Sequence, residues 1–339
     1  MKKINFKSPI IGYILIGLAF ASLVPLVNMG MARVAYLSVF ATTMIYTIVA
    51  LGLNLLLGYS GLISLGTAGF MGLAAYISGF VVEKQGLPFE VGVLLAILIP
   101  TFFGFLVGLI SLKLEGIYLA IATLAIAEIL REIFIQFDWF TNGSSGMILR
   151  KYPVLLGRFQ LDQKSTYLMI VVVMVLVFIL IHQLTKGYLG RSLNTMRSSE
   201  PAAKAMGVNV FYQKILSFCV ATALAAIGGV LYVHFFRNSA PTTWTLNMSL
   251  TFLAIIVVGG FRSISGTLIG SLLLYALAEI FLKNPRFPIL GGFTPVIQGL
   301  LMIIFVIFWP NGIASFFSMT KAKIQAKRLA KENEHESGA

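Results

Sequence analysis

Four stretches of this sequence place polar or ionisable side chains at spacings that carry chemical meaning. The first is Arg197-Ser-Ser-Glu-Pro-Ala-Ala-Lys-Ala-Met-Gly207. Ser199 can cap a helix, Glu200 favours the positive helix end and Pro201 suits a first turn. Gly207 is a natural left-handed stop. Between the caps lie Ala202, Ala203, Ala205 and Met206, a small apolar face in which methionine adapts to an irregular groove. The residues leave two readings open: a helix packed on its own bundle, or one that receives a partner.

The second stretch, residues 52–72, is rich in Gly, Ser and Thr: two helices meet near Gly58 and Gly61, and Gly66, Gly69 and Gly72 recur every third residue. Such a stripe lets helices approach closely, or lines a solute path with Ser64 and Thr67. The third, Val258-Gly-Gly-Phe-Arg-Ser-Ile-Ser-Gly-Thr-Leu-Ile-Gly270, echoes it, with Gly259, Gly260, Ser265 and Gly266 in the break and a following tyrosine, Tyr275 against Tyr76. Paired broken segments in two halves point to a transport site. The fourth runs from Glu115 through Tyr118 and Thr123 to Glu128, Arg131 and Glu132. Ionisable groups inside a span face the bundle interior or water. Glu128 and Arg131 have helical pair spacing, which fits a salt bridge at the membrane interface or contact with a zwitterionic solute.

None of these stretches is a reaction centre. There is no G-x-x-x-x-G-K-[ST] phosphate cradle, no H-E-x-x-H and no nucleophile–base set. The single cysteine, Cys219, excludes an internal disulfide, and no Cys/His cluster has metal-ligand spacing. His182, His234 and Glu279 stand alone, without the carboxylate ladder of a proton-coupled carrier.

The elements that must position these stretches are membrane helices. Of 339 residues, 58% are hydrophobic and 11% charged, far below the charge of a soluble domain. The apolar residues form long blocks, which read as helices because lipid leaves backbone groups no outside partner. An all-α polytopic bundle of about ten spans is expected: 10–27, 34–57, 61–82, 91–112, 116–135, 167–185, 215–233, 244–260, 264–282 and 292–309. No soluble domain is expected, only a permease domain over 1–318 and a basic tail over 319–339. Lys2, Lys3 and Lys7 precede an apolar run too long for a signal peptide, so it reads as an uncleaved first helix. With the N-terminus inside, 15 of the 25 Lys and Arg fall on the cytoplasmic side, as does the tail. The net charge of +13 then reflects topology and anionic lipid rather than nucleic acid, since no basic stripe with interleaved aromatics occurs. Two long loops remain, about 136–166 outside and 186–214 inside, and loops of that length in compact bundles are usually functional.

In their order and spacing, these segments, together with Thr141–Gly146, Gly190–Lys214 and Trp-Pro-Asn-Gly312, resemble the larger of the two permeases of branched-chain amino acid ABC importers, and more distantly the ribose-type permeases. The resemblance covers nearly the whole chain. It implies a bacterial inner-membrane protein, paired with a homologous second permease, two cytoplasmic ATPase subunits and an outer solute-binding protein. It implies that 197–207 is the segment that couples to the ATPases, with Glu200, Ala203 and Gly207 carrying the pattern alongside Ala202, Ala205 and Met206. ATP is then bound by partner subunits, and this chain carries neither cofactor nor catalysis. Ser64, Gly66, Thr67, Gly69, Tyr118, Thr123, Glu128, Gly259, Gly260, Ser265 and Gly266 are the candidate path residues. Two positions depart from the family pattern: Gly66-Thr67 stands where Gly-His is usual, and Arg262 replaces a small or apolar residue. Both leave the solute open between branched-chain amino acids and urea or short-chain amides. The rival of another class is an ion-coupled secondary carrier, and a third is a membrane scaffold that transports nothing.

Overall fold

The computed structural model describes residues 9–282 apart from 32, 112, 115, 151 and 156, and beyond 282 only 296, 299, 300, 303, 304, 307, 308, 312 and 313. The basic tail, most of the tenth expected span and the Glu115 position lie outside the described residues. The chain forms two compact units, residues 1–253 and 254–339.

The first unit is built around two long helices. Helix α3 (Ala35–Asn54) continues into a π-helical turn, Leu55–Tyr59, and 89% of its most apolar stretch is buried. Helix α11 (Val210–Phe236) is 61% buried by the same measure. The outer helices are mostly exposed: α1 and α2 (Pro9–Ala21, Leu23–Asn28) are 17% buried, α5 (Phe89–Ile110) 28% and α8 (Gln163–Lys186) 33%. Apolar helices with exposed apolar flanks are lipid-facing, and this is a multi-pass membrane protein. Inside α3, Thr42, Thr43 and Thr47 donate their hydroxyls to carbonyls four residues back, at 2.9, 2.8 and 2.7 Å. That satisfies each hydroxyl without water.

Among the described residues, six helices are long and apolar enough to cross a membrane. Helix α6 (Ile117–Gln136) has the length, 20 residues, but carries three charges. The expected span 61–82 needs correction. Residues 61–66 are not helical; helix α4 starts only at Thr67, runs to Gly79 and ends in a second π-helical turn, Phe80–Lys84. Gly61, at φ +75°, turns the chain before the helix can begin.

The loop after α6 holds a short helix, α7 (Asp138–Thr141), and three two-residue strands. Strand β1 (Met147–Ile148) pairs antiparallel with β4 (Asn238–Ser239), and β2 (Val154–Leu155) with β3 (Phe159–Gln160). At the opposite end of α8 and α11 lies a foot, made of α9 (Tyr188–Ser198) and α10 (Glu200–Ala205). Helix α12 (Leu246–Gly259) leads into the second unit. There α13 (Ile264–Ser271), a π-helical turn (Leu272–Leu277) and α14 (Ala278–Leu282) run on without a gap.

Candidate translocation path and coupling foot

The glycine stripe of α4 is a seat for its neighbours. A Cβ on Gly66 would lie 2.8 Å from the Thr123 carbonyl oxygen, one on Gly69 2.8 Å from Ala127 Cα, and one on Gly72 2.6 Å from the Trp244 ring. The first two bring α4 onto α6 backbone against backbone; the third makes room for Trp244, the largest fully buried side chain among the described residues. The start of α4 is held from outside the helix. Leu65 N–H donates to Thr123 Oγ1 at 2.9 Å, and Ala68 N–H to Ser249 Oγ at 3.0 Å. These hydroxyls serve donors near a helix start that have no partner within the helix. Ser64, Thr67 and Thr123 are all buried. Ser64 and Thr67, with Leu53, Leu56, Phe70 and Thr222, border a cavity of about 10 Å³, at the lower limit for one water. In this conformation the packing leaves room for no solute beside Ser64 and Thr67.

Of the expected path residues on α6, Thr123 belongs to this packing, and Tyr118 and Glu128 separate from it. Tyr118 is 74% exposed, and Ile121, Ala125, Ile129 and Glu132 follow it on one open face. Glu128 borders that face and pairs with Arg131 at 2.7 Å, their side chains 43% and 33% exposed. Gln136 donates to Glu132 at 2.9 Å. Glu128 is not at the outer edge: it stands eight positions before Gln136, the last residue of α6, and so lies about 12 Å from that end of the helix. Charges at this depth on an open face are costly against hydrocarbon. The face suits water or another protein.

In the second unit, α12 ends at Gly259, the chain turns over 260–262, and Gly266 lies in the first turn of α13. Gly260 and Arg262 have positive φ, 104° and 59°. Ser263 caps α13 by accepting from Gly266 N–H at 2.9 Å, and Ser265 is exposed. Gly259 leaves no room for a side chain against the Gly266 backbone. The echo with 58–67 therefore extends to structure as a helix, a left-handed glycine, a break and a new helix start.

The foot is capped as its residues predict. Ser199 accepts from Ala202 N–H at 3.4 Å, and Pro201 sits in the first turn. Gly207, at φ +78°, closes the helix: its N–H donates to the Lys204 carbonyl and Val208 N–H to the Ala203 carbonyl, both at 3.0 Å. This is a Schellman closure. The apolar face divides. Ala203 is fully buried among Leu55, Leu189, Leu193, Met196 and Val210. Pro201, Ala202, Ala205 and Met206 are exposed, Met206 at 77%. Ala203 thus packs on the bundle, as the first reading expects, while Pro201, Ala202, Ala205 and Met206 face outward.

The sequence did not point to what anchors the foot. Glu200 pairs with Lys214 of α11 at 2.9 Å and with Lys204 at 3.1 Å. Lys214 is almost enclosed, its side chain 5% exposed. Chiefly through Lys214, the Glu200 carboxyl is held below the usual carboxylate range. Arg197 of α9 donates to the Gly58 carbonyl at the end of α3. At the other end of the bundle, Glu83, Asn142, Ser145, Gly146, Ile148 and Arg150 line an open hollow of about 420 Å³. There the Glu83 carboxylate accepts from Arg150 N–H at 3.1 Å.

The sequence profile of one family, described as the permease component of branched-chain amino acid transport systems, matches residues 35–306. The chain belongs to that family. The chain is 29% identical over 308 residues to the high-affinity branched-chain amino acid transport system permease protein LivM of Salmonella typhimurium, covering 84% of this chain and 70% of that protein. LivM of Escherichia coli is also 29% identical, over 315 residues, 86% and 72% of the two chains. The probable permease LivH of Methanocaldococcus jannaschii is 32% identical over 138 residues, 38% of this chain and 42% of that one. No solved structure matches the permease.

Proposed function

We propose that this permease is the membrane-spanning subunit of an ABC importer for branched-chain amino acids. The observation that carries this reading is the profile match over 35–306 together with the two LivM relatives. The importer consists of this chain, a second permease of the LivH kind, two cytoplasmic ATPase subunits and an outer binding protein. It sits in a bacterial inner membrane with both termini in the cytoplasm. ATP binds the ATPases, and this chain holds no cofactor.

Three features support these roles. The foot offers Ala202, Ala205 and Met206 outward, a small apolar surface suited to a groove on an ATPase. The open face of α6 carries an acid and a base that match the ammonium and carboxylate of an amino acid, so the solute passes along this face, between the two permeases. The hollow at Glu83 and Arg150 lies at the end remote from the foot, where the binding protein delivers its cargo. A conduit supplied by a binding protein needs little affinity of its own, since tight binding slows release. Closure of the ATPases moves the foot, and that movement acts only by favouring one state of the bundle over another.

The test is complementation. A bacterial strain without branched-chain amino acid uptake should regain labelled leucine uptake when it expresses this chain with its partner subunits, and lose it when this chain is omitted. Uptake of urea or acetamide but not leucine would assign the amide solutes instead.

A further inference from the structure

The unwound segment 61–66 is fastened at both ends by side chains distant in sequence. At its head, the π-helical turn of α3 is closed by Gly61 N–H to the Leu57 carbonyl and Leu62 N–H to the Leu56 carbonyl, both at 3.2 Å. Each bond spans one residue more than in a Schellman closure, as the wider turn requires. The Gly58 carbonyl, between residues joined by these bonds, is one of the four a helix end leaves over. Arg197 donates to it from the foot. The stem of Arg197 lies on Gly61, where an added Cβ would be 3.3 Å from its Cγ. A guanidinium here also meets the negative end of the α3 dipole. At the tail of the segment, Leu65 N–H donates to Thr123 Oγ1, and Gly66 lies on the Thr123 backbone. Thr123 is fully buried, on the side of α6 opposite Tyr118, Ala125 and Ile129.

We propose that Arg197 and Thr123 are positioning residues that relay movement of the foot to α6. Arg197 lies two residues before Ser199, the cap of α10, so a displaced α10 carries it along. The displaced guanidinium moves the head of 61–66. The segment is too short to absorb the shift, and its tail moves α6 through Thr123. The relay rests on the proposed function and deepens it: the foot reaches the path by a route separate from the Glu200–Lys214 pair, which leads to α11 instead.

The test uses the complete importer, co-purified with its partner subunits and reconstituted in vesicles, and reads leucine taken up per ATP hydrolysed. Arg197→Ala and Thr123→Val should each lower this ratio about three- to tenfold, within the range of measured coupling effects. The double variant should be no worse than the weaker single one, because both cut one link. Arg197→Lys, which keeps a charged donor, should restore part of the ratio. An unchanged ratio in both single variants, or losses that multiply in the double, overturns the relay. If Arg197→Ala prevents assembly, Arg197→Lys and Thr123→Val decide the matter by the same criterion. A wild-type importer that hydrolyses ATP but takes up no leucine would instead refute the function, a result distinct from wild-type uptake with unaltered variants.

Discussion

Gly69→Ala tests how α4 is seated. The added methyl carbon would lie 2.8 Å from Ala127 Cα and 3.0 Å from its Cβ. Ordinary contact begins at 3.4 Å, so α4 and α6 must part by 0.6 Å. Neither side can yield by rotating a side chain, because the closest atom is backbone. The same parting would stretch the Leu65–Thr123 bond from 2.9 Å to about 3.5 Å, the point at which a hydrogen bond is largely lost. Overpacking of this kind costs about 1–3 kcal/mol. At about 2–4 °C per kcal/mol, a middle value near 2 kcal/mol lowers Tm by about 4–8 °C. Gly12→Ala is the control: a Cβ there meets nothing within 4 Å, and exposed substitutions stay within about 0.5 kcal/mol. Thermal unfolding of the purified importer and leucine uptake read the outcome. A Gly69→Ala importer that melts within about 1 °C of wild type and transports normally would show that α4 does not rest on the α6 backbone.

Other outcomes follow from the foot and the path. Ala202→Arg should leave the permease folded and abolish solute-stimulated ATP hydrolysis, whereas Ala203→Arg should prevent folding, since only Ala203 is enclosed; size-exclusion profiles and ATPase assays separate the two. Glu200→Gln leaves Lys214 enclosed beside a neutral partner and should cost about 2–4 kcal/mol, less than a fully buried pair because Glu200 is partly exposed; equal stability by denaturant titration would contradict the anchor. Because the Glu200 carboxyl is held low, its contribution is complete above the ordinary carboxylate range and is lost as pH falls through the lower folded value. Protection from hydrogen exchange over 199–208, taken relative to the intrinsic rate at each pH, should therefore stay level from pH 8 to 5 and fall below about pH 4; loosening between pH 8 and 6 would require another group. Glu128→Gln should reduce leucine uptake severalfold while sparing stability, as expected of a side chain that meets solute rather than holding the bundle; unaltered uptake would remove it from the path.

Much of this was legible in the sequence, for local reasons. Long apolar blocks become helices because lipid offers their backbone no partner, and Ser199, Pro201 and Gly207 act on their own neighbours. What was hidden is long-range. Arg197 and Gly58 are 139 residues apart, and nothing near either announces the other. The inward turn of Ala203 depends on where α9 lies, which a six-residue helix does not encode. The stripe Gly66, Gly69 and Gly72 is compatible in sequence with a path or with packing, and only the structure shows that Thr123, Ala127 and Trp244 lie against it. The unwound 61–66 did leave a signal, Gly61 followed by a Ser-containing run, but hydropathy averages over it. The pair spacing of Glu128 and Arg131 was visible, while the open face beside them and their distance from the helix end depended on the structure.

Energy supply is the central claim: this chain is a conduit driven through its foot by separate ATPases. Labelled leucine uptake into vesicles tests it, comparing the complete importer with and without ATP against this chain alone under a proton or sodium gradient. The account predicts accumulation only with the ATPases present and ATP supplied. Accumulation by the isolated chain, driven by an ion gradient, would contradict it.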